Sequence, residues 1–113
     1  MTAADFRRLA LALPQTSERE HMEHPDFRVG GKIFATLGYP DAEHGMVVLP
    51  PAEQKRLIHS HPKIFAAARG AWGKRGSTTV RLDAVDKATL QSALEIAWRN
   101  KAPKRLTAPT NRR

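Results

Sequence analysis

Along the first fourteen residues, apolar side chains return every three or four positions. Phe6, Leu9, Ala10 and Leu13 share one helical face. Thr2 can cap that helix, Asp5 suits its first turn, and Pro14 ends the pattern. Residues 16–22 are polar, as in an edge strand, after which the period changes to two. Phe27 and Val29 fall on one face of a strand and Asp26 and Arg28 on the other. Gly30-Gly31 predicts a two-residue type I′ turn, whose central positions both need positive φ. The returning strand, Lys32–Gly38, places Ile33, Ala35 and Leu37 together. A turn through Pro40, Asp41 and Gly45 leads to an apolar strand, Met46–Leu49.

Pro50-Pro51 opens a second helix, which runs through Leu57 and Ile58 and stops before Pro62. Two weaker strands, Ala67–Trp72 and Thr78–Leu82, are joined by a Gly-Lys-Arg-Gly loop. Asp86 caps the last helix, where Leu90, Ala93, Leu94, Ala97 and Trp98 form a single apolar stripe. Strands joined by hairpins, with amphipathic helices before, between and after them, predict an α+β fold. The expected architecture is a two-layer sandwich, an antiparallel sheet with three helices on one face. Phe6, Ile33, Val48, Leu94 and Trp98 belong to its expected core, and the other face of the sheet stays open to solvent or a partner. One domain over residues 1–101 is expected, followed by a basic, mostly irregular tail over 102–113.

The chain has 113 residues, 41% of them hydrophobic, which suits one globular domain. No run of about 18 apolar residues could span a membrane. The apolar residues near the N-terminus lie at helical spacing rather than in a block, which argues against a signal peptide. A cytoplasmic protein is expected. With no cysteine, disulfides, thiolate metal sites and cysteine nucleophiles are excluded. The net charge of +8 is segregated. Residues 54–82 carry Lys55, Arg56, Lys63, Arg69, Lys74, Arg75 and Arg81 without one acid, and residues 99–113 are again basic and acid-free. Such segregation produces a field that attracts polyanions.

Candidate chemistry is sparse. His21 and His24 lie near Glu20, Glu23 and Asp26, but the segment precedes Pro25 and has no helical spacing to converge on an ion. His59 and His61 sit near a helix end, where a cationic side chain suits the dipole. No metal and no cofactor are expected. Ser17, Ser60, Ser77 and Ser92 show no nucleophile-elbow pattern, and no acid, base and nucleophile set stands out, so a non-enzyme is expected. The run from Gly70 to Gly76 lacks the lysine-Ser/Thr ending of a P-loop. It reads as a basic hairpin tip, with Trp72 either packed in the core or free to stack on a base.

Several short stretches together resemble the MmcQ/YjbR family of small bacterial proteins. They are Ala10-Leu11-Ala12-Leu13-Pro14, the run from Phe27 to Ala35, and Gly70-Ala71-Trp72-Gly73 with Gly76, Val80 and Leu82. Ala97-Trp98 followed by Ala102-Pro103-Lys104 completes the set. The resemblance covers about residues 2–105. It implies a two-layer α/β fold similar to frataxin and DNA binding through paired hairpin wings, here the Arg28–Lys32 and Trp72–Ser77 turns. Frataxins also hold iron on an acidic ridge of the first helix. The first helix here offers only Asp5, beside Arg7 and Arg8.

The sequence therefore points to a monomeric, non-catalytic DNA-binding protein that contacts phosphates with little sequence preference. Arg28, Lys32, Lys74, Arg75 and Arg81 are the expected contacts. Lys101, Lys104 and Arg105, with Arg112 and Arg113, would add charge from the tail. The alternative is a protein-interaction or small-ligand module using the open sheet face.

Overall fold

The structure, a computed structural model, describes residues 1–107. Its helices are α1 (Ala3–Leu11), α2 (Pro51–Ser60), α3 (Gly70–Lys74), α4 (Lys87–Lys101) and α5 (Lys104–Thr107). Its strands are β1 (Thr16–His21), β2 (His24–Val29), β3 (Lys32–Leu37), β4 (His44–Val48), β5 (Phe65–Ala67) and β6 (Ser77–Arg81). They form one antiparallel sheet in the order β1-β2-β3-β4-β6-β5. None of the described helices is long and apolar enough to cross a membrane.

The capping chemistry expected of α1 and α4 is present. Thr2 Oγ1 accepts from the Asp5 amide at 3.0 Å while the Thr2 amide donates to Asp5 Oδ2, a reciprocal capping box. Asp86 Oδ1 accepts from the Thr89 amide at 2.7 Å. Phe6 and Ala10 of α1, Leu57 of α2 and the α4 stripe from Leu90 to Trp98 bury against one face of the sheet. Phe6 meets Phe27 there with ring centroids 5.9 Å apart, tilted by 52°. Trp98 is not left with an unpaired donor, since its Nε1 donates to the Pro14 carbonyl at 3.0 Å.

Two residues assigned to the core lie on the other face. Ala35 pairs with Phe27 but Ile33 pairs with Arg28, so Phe34 is an extra, bulged residue in β3. The bulge reverses the alternation: Phe34 enters the core, fully buried, and Ile33 turns to the open face. In β4, Val47 is buried in the core and Leu49, just past the strand, is too, while Val48 points outward. An uninterrupted apolar run carries no period from which to tell these faces apart.

The second wing is also corrected. Ala67–Trp72 is not a strand: β5 stops at Ala67, and Gly70–Lys74 is a short helix. Close packing selects it. A Cβ on Gly73 would stand 1.8 Å from the Ala68 carbonyl oxygen, so the chain turns tightly where glycine allows contact. The tail is in part helical as well. Lys104–Thr107 forms α5, and Pro103 packs on the Gly30-Gly31 turn, where a Gly30 Cβ would lie 2.8 Å from Pro103 Cδ. The rest of the tail, with Arg112 and Arg113, lies outside the described residues.

The turn between β1 and β2 gave no sequence signal. Met22 and Glu23 make it, with φ of 48° and 67°. Two non-glycine residues in the left-handed region cost roughly 1–2 kcal/mol each. Replacing the pair by Asn-Gly is expected to raise stability by about 1 kcal/mol, read from urea unfolding. An unchanged or lowered midpoint would show that the turn is not strained.

Candidate nucleic-acid interface

The strand registers that bury one face of the sheet compose the other. Asp26, Thr36, Met46 and Thr79 stand side by side across β2, β3, β4 and β6. Around this row lies a concavity of about 730 Å³ floored by Ile33, Thr36, Met46 and Val48. Trp72, Arg75 and Lys101 line one end and His21, Met22 and Tyr39 the other.

The Trp72 end is held by polar contacts from two helices. Gln54 of α2, buried, donates from Nε2 to the Gly73 carbonyl at 2.9 Å and the Ser77 carbonyl at 3.2 Å. That pins α3 with Gly73 inward, leaving Trp72 68% exposed. Asn100 Nδ2 donates to the Val48 carbonyl at 3.1 Å, docking the end of α4 onto the end of β4. Lys101 thereby reaches the same lip as Arg75. None of the ion pairs among the described residues involves either side chain.

The opposite end is organised by Asp26, which is fully buried. Arg28 Nε and Nη2 donate to its two oxygens at 2.8 and 3.0 Å, and His21 Nδ1 lies 2.7 Å from Oδ2. Arg28 holds the Asp26 carboxyl below the usual carboxylate range, against the opposing effect of burial, and His21 adds to the lowering. An ionised carboxylate only accepts, so His21 Nδ1 carries the proton of that bond. A carboxyl depressed by folding contributes stability above its unfolded pKa, lost as pH falls through the lower folded value. Stability should therefore decline below about pH 4, and more shallowly in Asp26→Asn. Urea unfolding from pH 7 to pH 3 measures this, and equal acid limbs would assign the loss elsewhere.

The structure divides the expected contacts. Arg75 and Lys101 meet at the groove, with Lys74 adjacent on α3. Lys32 follows the hairpin turn that Pro103 touches, which brings it and Lys104-Arg105 to the same end of the sheet. Arg28 is instead committed to Asp26, and the side chain is only 27% exposed. Arg81 lies at the far end of β6, roughly 14 Å along the strand from Ser77 at ~3.4 Å per residue, and pairs with Asp83. The anchoring roles of Gln54 and Asn100 had no sequence signal, because their partners lie 19 to 52 positions away. Asp26 has its arginine two residues on, but its burial is set by the sheet.

No curated protein matches the chain. Among solved structures, it is similar to the Deinococcus radiodurans protein DR2400, described with the family-model domain DUF419. The TM-score is 0.73 at 23% identity, over 86% of this chain and 75% of that one, a likeness of fold. The family model described as YjbR matches residues 11–100. Nearly the whole folded unit, from the end of α1 to the last turn of α4, thus carries the pattern, and the chain belongs to the YjbR family.

Proposed function

We propose that the protein is a non-catalytic DNA-binding domain that holds phosphates at the basic end of its sheet. The observation that carries this reading is the meeting of Arg75 and Lys101. They are distant in sequence, belong to separately anchored elements and have no carboxylate partner among the described residues. Lys32, Lys74, Lys104 and Arg105 extend the positive surface. Contacts of this kind position a protein on DNA without reading base edges. Arg28 and Arg81 are left out of the proposed interface, because carboxylates already engage them.

Fluorescence anisotropy against two duplexes of unrelated sequence tests the reading. Weak and equal binding at low salt is expected. A strong preference for one duplex, or no binding to either, would contradict it. The second reading, a small-ligand or protein-interaction module, draws on the groove itself, whose 730 Å³ falls in the ~300–1,000 Å³ range of ligand sites. Binding through that apolar floor would be insensitive to salt.

A further inference from the structure

We infer that the open-face groove takes unpaired nucleobases, so that the protein prefers single-stranded DNA to a duplex. This rests on the DNA-binding reading above. The phosphate contacts alone do not account for the apolar floor of Ile33, Met46 and Val48 or for the side chains at its two ends. Trp72 is 68% exposed, Met22 86% and Tyr39 37%, the largest exposed apolar side chains at this face. A paired duplex buries its base faces and offers this surface nothing. A single strand presents a π-face with every base and a phosphate between each two, and all bases can stack on an aromatic ring.

Charge complementarity selects this occupant over an uncharged apolar partner. Arg75 and Lys101 stand beside Trp72, so a base stacked on the indole has cations within reach of its flanking phosphates. The backbone that carries the indole is also held in place. Gln54 fixes α3 through the Gly73 carbonyl, and Gly73 lies tight against the Ala68 backbone. Little backbone ordering remains to be done when a base arrives. Tyr39, with Met22, borders the other end of the groove, giving a second surface for a base further along the strand.

The test compares oligothymidine of about a dozen nucleotides, a duplex of equal length and base-free polyphosphate, at one low salt concentration. Trp72 reports directly, because the other tryptophan, Trp98, is buried and hydrogen-bonded in the core. Oligothymidine should bind more tightly than the duplex and quench the exposed tryptophan. Trp72→Ala should weaken strand binding about ten- to a hundred-fold, leave duplex binding nearly unchanged and leave the melting temperature unchanged. Trp72→Phe should restore most of the affinity. Polyphosphate binding as tightly as oligothymidine, or a Trp72→Ala protein that binds the strand normally, would overturn base stacking while leaving the phosphate reading intact. Failure to bind any of the three would overturn both.

Discussion

Gly76→Ala is expected to destabilise the protein by about 4 kcal/mol or more, enough to depopulate the fold. A Cβ at this position would stand 1.8 Å from the Leu49 carbonyl oxygen and 3.0 Å from its carbon. Both are backbone atoms, and the Leu49 amide donates to the Gly76 carbonyl at 2.9 Å. Relief would require β6 to part from β4 in the middle of the sheet. Gly76 also has φ of +112°, so alanine would be strained even in open space. Gly31→Ala separates the two effects. Its φ is +80° but nothing lies within 4 Å, and strain alone should cost roughly 1–2 kcal/mol. Urea unfolding followed by tryptophan emission measures both. A Gly76→Ala protein within about 1 kcal/mol of the parent would mean that β4 and β6 can part at this point at little cost.

The second large effect is on binding. Arg75→Ala with Lys101→Ala is expected to reduce duplex affinity about sixty-fold at 0.1 M salt. Each phosphate contact scales affinity as roughly the −0.9 power of salt, about eightfold between 1 M and 0.1 M, and two contacts multiply. Arg75 is exposed and Lys101 half-buried, and neither makes an ion pair among the described residues, so the fold should be retained. Arg81→Ala is the matched control, since that side chain is paired with Asp83 at the opposite end of β6. It should change affinity less than about twofold. Equal losses from the double variant and the control would leave net charge, not place, as the determinant.

The elements most legible in the sequence are those whose signal is local. The α1 capping box, the Asp86 cap, the Gly30-Gly31 turn and the α4 stripe all appear where the residues put them. Each depends on residues within a few positions of one another. Legibility failed where a distant contact decides. The bulge at Phe34 is a matter of register against β2, and α3 is set by Gly73 meeting the Ala68 backbone and by Gln54 reaching across from α2. The Met22-Glu23 turn is held against its own backbone preference by the pairing of β1 with β2. For the site, residue type and charge singled out Lys74, Arg75 and Lys101 as candidates without showing that the last two share a groove. The same reading did not show that Arg28 and Arg81 pair with carboxylates. Arg81 stands at the end of an acid-free run, yet Asp83 just beyond it is its partner. Arg28 lies outside that run, and its pairing with Asp26 two residues away does not follow from residue type alone.

The slope of log affinity against log salt for duplex DNA tests the proposed phosphate contacts most directly. With about four phosphates neutralised, the slope should be near −3.6 for the parent protein and near −1.8 for the Arg75→Ala, Lys101→Ala variant. Binding with a slope near zero, or an identical slope in the two proteins, would contradict a phosphate interface at this end of the sheet.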